Sequence, residues 1–200
     1  TFDADNAIVF DLSTTDVTGS LMSTPVPTGA SIDWYSTTGT INSISASSAS
    51  FTPTSSGLTT ITACYGIICS DYILTIGSGM PVQLFASLDD SSTVQSATIT
   101  ADEDIEIFAY AIDQHGNLVT GEVIDFTTTN GSIDSSNFFY PYLIGEQTIT
   151  VQWIGTSTTL SIDLTVIVEP GAPDLVEISG CDLVVQADTK CLIYATVFDQ

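Results

Sequence analysis

Apolar and polar residues alternate along most of the chain with a period of two residues. The clearest runs lie at 59–63, 105–112, 148–153 and 160–168, where β-branched and aromatic residues dominate. This period puts alternate side chains on opposite faces of a strand, and no segment shows the 3.6-residue stripe of an amphipathic helix. Turn signals separate the runs, at 38–39, 56–57, 115–117 and 130–131. The pattern predicts an all-β protein of short antiparallel strands.

The sequence also repeats itself at an interval of roughly 90 residues. Residues 31–41 resemble 123–133, and Gly79-Met-Pro81 resembles Gly171-Ala-Pro173 at the same offset. Residues 60–63 resemble 148–151, and 187–200 resemble 101–114. We therefore expect a tandem array: a first repeat at 1–78, a second at 79–170, and the first two strands of a third at 171–200.

The first and third repeats are incomplete in this alignment. Thr1–Asp5 aligns with Thr100–Asp104, so the first repeat lacks the counterpart of the strand Val82–Leu88 and should leave a sheet edge open. The third repeat carries its first strand, Leu175–Ser179, and then stops inside a turn. We expect an excerpt from a longer protein, in which preceding residues fill the gap. The alternative is that Leu175–Ser179 fills the gap in a neighbouring molecule.

The segment 109–126 combines an apolar strand, an Asp-x-x-Gly-Asn turn at 113–117 and regularly placed residues after it, namely Val119, Gly121, Val123 and Phe126. With Gly131, this pattern resembles the immunoglobulin-like repeats of invasin and intimin type, and residues 49–63 resemble the later half of the same repeat. The resemblance implies tandem antiparallel β-sandwiches of Greek-key type that serve as stalk modules of a surface protein. The turn should need positive φ at Gly116 and Asn117. In the first repeat the longer stretch 13–29 replaces it.

Charge narrows the possible partners. The 200 residues contain 24 acidic side chains and a single basic one, Lys190, for a net charge of −23. Such a chain is repelled by phosphate backbones and anionic lipid, so nucleic-acid and membrane-surface roles are disfavoured. The apolar share of 44% supports a packed core and argues against disorder. No apolar run reaches the ~20 residues of a membrane helix.

The four cysteines form two close pairs, Cys64/Cys69 and Cys181/Cys191. Neither pair has the histidine or cysteine partners of a zinc site, so we predict two disulfides and an extracellular or cell-surface location. A hairpin around residues 65–68 would bring Cys64 and Cys69 opposite each other, with Cα atoms about 5.5 Å apart. The alternative is four buried thiols in a reducing compartment.

Catalytic and cofactor chemistry have little support in the sequence. The only histidine, His115, lies in a turn where it should be exposed, and no phosphate loop or metal motif is present, so we expect no enzyme. Lys190 is expected to be solvated near Asp188. Calcium is the one cofactor to weigh, although the chain has no calcium-loop motif and acids at strand ends are common in turns. Its candidate ligands are Asp89, Asp90, Asp102, Glu103 and Asp104, with Asp3 and Asp5 repeating the last cluster. Asn130 begins a glycosylation sequon.

These observations favour a stalk or spacer of a secreted or cell-surface adhesin-like protein, elongated in solution, with neighbouring repeats or copies of itself as partners. The alternative is a segment of a self-assembling surface layer or extracellular filament, whose negative charge would gather cations. Binding of a cell-surface or glycan ligand is a third class. Its support is the aromatic run 138–142, which we expect to pack under a strand instead.

Overall fold

The computed structural model describes residues 2–13, 15, 18, 20–21, 30–91, 93–180 and 190–199. Within these ranges the chain forms strands and no helix, as the alternating pattern predicts. The described residues therefore contain no helix that is long and apolar enough to cross a membrane. The strands are β1 (Phe2–Asp3), β2 (Ile8–Asp11), β3 (Asp33–Ser36), β4 (Thr40–Ser43), β5 (Ser48–Thr52), β6 (Gly57–Tyr65), β7 (Ile68–Gly77), β8 (Gln83–Ser87), β9 (Ser96–Thr100), β10 (Ile105–Glu106), β11 (Phe108–Ile112), β12 (Ile124–Thr128), β13 (Ser132–Ile133), β14 (Phe138–Tyr140), β15 (Gly145–Ile154), β16 (Thr159–Glu169), β17 (Pro173–Ser179) and β18 (Tyr194–Asp199).

The first repeat contains two sheets, in the orders β1-β7-β6-β3 and β2-β5-β4. Every second residue of their strands faces inward, because the side chains of a strand alternate between its two faces. Phe51 from one sheet and Ile61 and Ile76 from the other are buried in a shared core. The half-buried rings of Phe10 and Trp34 pack against that core.

The second repeat is built in the same way. Its sheets run β12-β15-β16-β9 and β10-β14-β13, with β8 paired to β11. The long hairpin β15–β16 corresponds to β6–β7, and several of its inward side chains are fully buried. These include Ile149, Val151, Leu164 and Val166. The fold class predicted from the sequence, tandem immunoglobulin-like β-sandwiches, is confirmed.

One pairing in each repeat differs from the expected antiparallel arrangement. β1 runs parallel to β7, and β9 runs parallel to β16. A parallel pair needs a long connection, because the chain must return to the same end of the sheet. Most of a repeat lies between the two partners in both cases. Alternation along a strand does not encode its direction, so the sequence could not show this pairing.

The structure also shifts the alignment of the first repeat. Phe2 pairs with Ile76 on β7, as Ile99 pairs with Val168 on β16. The counterpart of Asp5 is therefore Asp102, and not Asp104 as the sequence alignment placed it. The error arose because both Asp102 and Asp104 follow a Thr at a similar spacing, whereas the sheet register allows only one match.

The expected difference between the repeats at the Asp-x-x-Gly-Asn turn is smaller than predicted. An isolated antiparallel bridge joins Thr15 to Leu21, and another joins Ile112 to Leu118 at the same spacing. The sequence between the first pair reads Asp-Val-Thr-Gly-Ser, which matches Asp-Gln-His-Gly-Asn. Gly116 has the predicted positive φ of 83°, but Asn117 does not, since the positive-φ residue other than glycine within the described ranges is Asn137.

Residue contacts divide the chain into two compact units. The first comprises Thr1–Gln83 with Ala111–Glu122, and the second comprises Leu84–Tyr110 with Val123–Gln200. β17 and β18 pair in antiparallel orientation within the second unit, and their assignment to the start of a third repeat stays a prediction. The repeat boundaries at 78/79 and 170/171 follow the periodicity of the sequence and stay predictions.

Candidate functional site

Aspartates hold the Gly-x-Pro segment of the first unit, and we call this arrangement the carboxylate clamp. Asp113 accepts a hydrogen bond from the Gly79 N–H at 2.8 Å, and Asp5 accepts one from the Met80 N–H at 2.7 Å. Asp5 also accepts a bond of 2.9 Å from the side-chain amide of Gln114. The clamp thus satisfies two successive backbone donors that follow the end of β7.

The second unit contains a counterpart of this clamp. Asp102 accepts a hydrogen bond from the Ala172 N–H at 2.7 Å, directly after Gly171. A Cβ atom on Gly171 would overlap the carboxylate of Asp102, and one on Gly79 would overlap that of Asp5. Glycine recurs at both positions because a carboxylate lies against the backbone there. The sequence revealed the repeated Gly-x-Pro, but not the acid that binds it.

Asp113 is the most buried acidic residue of this arrangement, with 1% of its surface exposed. Besides Gly79, it accepts hydrogen bonds from the backbone N–H groups of His115 and Asn117 and from the Asn117 side chain, at 2.8–2.9 Å. Burial alone would raise the pKa of Asp113, but these hydrogen bonds outweigh it and lower the pKa below its ordinary value. Asn117 also reaches Thr54 and Ser56 in the same unit, donating to the Thr54 carbonyl and accepting from the Ser56 N–H.

Of the two calcium candidates at 89–90, Asp89 is hydrogen-bonded by protein groups and Asp90 is exposed to solvent. Asp89 accepts hydrogen bonds from the hydroxyls of Ser87 and Ser91, at 2.7 Å and 2.6–2.8 Å. These bonds lower the pKa of Asp89, with the Ser87 hydroxyl as the largest cause. Asp90 is exposed. This is the local turn geometry that Asp and Ser favour without a metal.

The second set of candidates serves turns in the same manner. Asp102 belongs to the clamp, and Glu103 accepts a 2.9 Å hydrogen bond from the Thr100 N–H. Asp104 lies near Tyr140, whose pKa is raised by burial first and then by Asp134 and Asp104. Among the described residues, no group of three or more acidic, histidine or cysteine side chains could hold a metal ion. Calcium binding stays a hypothesis with no assembled ligand set.

The Cys64–Cys69 disulfide is present at the tip of the β6–β7 hairpin. The two residues are directly opposed in the register, and their Cα atoms lie 4.1 Å apart, closer than the 5.5 Å expected. Cys181 lies outside the described residues, so the Cys181–Cys191 disulfide stays a prediction.

Most of the remaining candidate residues that the structure describes are exposed at the surface. His115 is exposed in its turn, Lys190 is exposed, and Asp188 lies outside the described residues. Asn130 is exposed between β12 and β13, and its glycosylation stays a prediction. In the aromatic run, Phe139 is fully buried as expected, whereas Tyr142 is 69% exposed, because the chain leaves β14 before reaching it.

A groove opens in the first repeat between β2 and the sheet that contains β3, β6 and β7. It has a volume of about 470 Å³, and Phe10, Trp34 and Tyr72 line it. The indole N–H of Trp34 is buried and has no hydrogen-bond partner in the described part of the chain. This groove, unlike the clamps, consists mainly of apolar side chains.

The sequence matches no protein-family model and no curated protein. Solved structures do resemble the chain. One is InvD of Yersinia pseudotuberculosis, with 18% identity and a TM-score of 0.54 over 99% of this chain and 67% of that one. Another is invasin, described as a bacterial integrin-binding protein, with 17% identity and a TM-score of 0.53 over 90% and 39%. A third is FdeC, an Escherichia coli adhesin, with 14% identity and a TM-score of 0.50 over 84% and 62%.

These likenesses confirm the resemblance to invasin-type immunoglobulin-like repeats at the level of the fold. The chain spans about two fifths to two thirds of the length of those structures. The sites described above have structural roles. The carboxylates bind backbone segments, and the disulfide closes the β6–β7 hairpin.

Proposed function

We propose that the chain is a spacer segment of a secreted or cell-surface adhesin-like protein. The observation that carries this proposal is structural repetition. The second repeat reproduces the strand order of the first, and in both an aspartate at the equivalent position, Asp5 or Asp102, binds the backbone of the Gly-x-Pro segment. Repeated modules of this kind add length to a protein, because each one packs its own core and passes the chain on.

Three features support the extracellular part of the proposal. The fold resembles that of InvD, of the integrin-binding protein invasin and of the adhesin FdeC. The Cys64–Cys69 disulfide suits an oxidising environment. The net charge of −23 keeps the surface soluble and repels nucleic acid.

Small-angle X-ray scattering tests the spacer role. A single compact body of this length has a radius of gyration of about 16 Å. A spacer should give a clearly larger value and a pair-distance distribution with a long tail. A value near 16 Å would contradict the proposal. Ordered sheets or filaments that form when divalent cations are added would instead favour a surface layer.

A further inference from the structure

The turn between β12 and β13 contains an asparagine followed by a glycine, Asn130-Gly131. Asn130 is exposed, and its side chain makes no hydrogen bond with the described residues. The residue before it is fixed, because the Thr129 N–H donates to the Thr148 carbonyl at 3.1 Å and the Thr129 hydroxyl donates to Gln147 at 3.2 Å. A free amide side chain therefore projects from a turn whose base is held in place.

Gly131 leaves the backbone nitrogen that follows Asn130 open. Its φ of 139° is a conformation that glycine adopts readily, and it has no Cβ to shield its own nitrogen. Within the described chain, the Gly131 N–H donates no backbone hydrogen bond. The strand that begins at the next residue, β13, lies at an edge of the sheet β10-β14-β13. The side-chain amide of Asn130 and the nitrogen of Gly131 are thus neighbours without other partners.

We propose that this turn is a site of spontaneous deamidation, with water as the only co-reactant. The Gly131 nitrogen loses its proton to solvent and attacks the side-chain carbonyl carbon (Cγ) of Asn130. A carbon–nitrogen bond forms there, the bond from Cγ to the amide nitrogen breaks, and that nitrogen takes up a proton and leaves as ammonia. Water then opens the resulting succinimide ring at either of its two carbonyls, which gives aspartate or isoaspartate at position 130.

The other four asparagines are less suited to this reaction. Each is followed by a residue with a side chain, which hinders attack by the next nitrogen. Two of them are also held by hydrogen bonds, since Asn6 donates to Asp3 at 2.7 Å and Asn117 donates to Asp113 at 2.8 Å. Asn42 lies within β4, whose pairing with β5 restrains its backbone. Asparagine is a thermolabile residue in general, and the structure selects Asn130 among the five.

The first repeat has the same turn without the reactive amide. Thr38-Gly39 occupies the equivalent position between β3 and β4, and the Thr38 hydroxyl donates to the Thr59 hydroxyl at 2.7 Å. A threonine has no nitrogen that could leave, so this turn cannot deamidate. In both repeats a Cβ on the glycine would overlap a buried phenylalanine ring. The substitution Asn130→Thr therefore gives the second repeat a turn sequence that this fold already contains.

The products should disturb the start of β13. Aspartate adds a negative charge to the turn, and isoaspartate also adds an atom to the main chain between positions 130 and 131. Gly131 lies against the Phe139 ring and the Tyr140 carbonyl, where even a Cβ atom would overlap. Because Phe139 is fully buried, the longer backbone has little room, and the pairing of β13 with β14 should weaken. Deamidation would thus weaken the second repeat irreversibly with time.

The first test follows the whole oxidised chain, produced without glycosylation, during incubation at 37 °C and about pH 8. Chymotryptic peptides are then separated and sequenced by mass spectrometry. We expect Asn130 to acquire the mass of an amide-to-acid exchange at least about tenfold faster than any other asparagine, because only Asn130 precedes glycine. Aspartate and isoaspartate should appear as two separate peaks. Conversion no faster than at the other asparagines, or conversion without isoaspartate, overturns the proposal.

The second test connects the reaction to its effect on the fold. Freshly prepared wild type and Asn130→Thr should have similar melting temperatures, since the first repeat carries threonine at this position. After incubation, the melting temperature of the wild type should fall in step with its isoaspartate content, and that of Asn130→Thr should stay unchanged. An equal loss of stability in both proteins would show that another site is responsible. These outcomes do not depend on the spacer function, which the scattering measurement tests.

Discussion

Asp113 is the residue whose role the sequence concealed most. The Asp-x-x-Gly-Asn turn predicts a hairpin, and Gly116 has the positive φ that it needs. A carboxylate in such a turn is expected at the surface, yet Asp113 is buried and accepts four hydrogen bonds. One of these bonds comes from the N–H of Gly79, which is distant in sequence. Local turn chemistry could be predicted, and the long-range donor could not.

Replacing Asp113 by Asn should destabilise the first unit by about 2–3 kcal/mol. The amide keeps one acceptor oxygen and turns an NH2 group toward backbone donors, so buried N–H groups lose their partners. Urea unfolding followed by circular dichroism measures the change. Asp125→Asn, on the exposed side of β12, is the control and should change the free energy of unfolding by less than about 0.5 kcal/mol.

The same pair of proteins gives a pH dependence. The hydrogen bonds hold the pKa of Asp113 below its ordinary value of 3.8, so the folded carboxylate binds a proton less readily than the unfolded one. Its contribution to stability is therefore complete above pH 3.8 and is lost as the pH falls through the folded pKa. The difference in unfolding free energy between the wild type and Asp113→Asn should shrink below about pH 4. A difference that is constant from pH 6 to pH 3 would contradict this account.

At the scale of elements, the carboxylate clamp predicts that substitutions at Gly79 and Asp5 have non-additive effects on stability. Gly79→Ala should destabilise the chain by more than the ~1 kcal/mol of an average point mutation, because Gly79 is buried and the new Cβ overlaps the Asp5 carboxylate. In an Asp5→Ala background the same change should cost less, since the obstructing group is gone. Thermal unfolding of the four proteins of this double-mutant cycle measures the coupling. Strictly additive effects would show that Asp5 does not lie against Gly79.

The β6–β7 hairpin should depend on its disulfide. Closing a loop of five residues stabilises a fold by about 2 kcal/mol in the chain-entropy description. The double variant Cys64→Ser/Cys69→Ser should therefore unfold at lower urea concentration than the oxidised wild type and should not respond to reductant. Alkylation of the unreduced protein, followed by mass spectrometry, checks the bond directly. Four alkylated thiols would contradict both predicted disulfides and the extracellular location.

The elements themselves were largely predictable. Alternation predicted the strands at 59–63, 148–153 and 160–168. The run 105–112 is instead divided into β10 and β11, which belong to different sheets, and alternation alone could not show that break. The parallel pairs β1–β7 and β9–β16 were not predictable, because pairing between distant strands depends on the register of the whole sheet. The sequence alignment matched Asp5 with Asp104 for the same reason, because the register of the sheet was not known from the sequence.

At the scale of the whole molecule, the net charge of −23 opposes the compact state through self-repulsion. Raising sodium chloride from 0.02 to 0.5 M should therefore raise the melting temperature by roughly 2–4 °C, the shift that about 1 kcal/mol produces in a chain of this size. Thermal unfolding followed by circular dichroism measures the shift, and a melting temperature that does not rise with salt would contradict it.

A comparison of calcium with magnesium distinguishes general screening from binding at a specific calcium site. At matched ionic strength, calcium chloride and magnesium chloride should give the same melting temperature, since Asp89, Asp102 and Glu103 accept hydrogen bonds from protein donors and the described residues contain no group of three ligands that could hold a metal ion. An additional rise that is specific to calcium would indicate a real site and would revive the hypothesis for residues 102–104.

The parallel ladder between β9 and β16 has a consequence for how a repeat bears tension. β9 lies near the beginning of the second repeat and β16 is its last strand, and they pair in parallel from Ser96–Thr165 to Thr100–Glu169. When the two ends of the repeat are pulled apart, such strands slide along each other, so the ladder is loaded in shear and its bonds must fail together. An antiparallel hairpin pulled at its open end would instead unzip one bond at a time. Forced unfolding is governed by the unfolding rate, so a ladder loaded in shear should resist tension more than one that unzips.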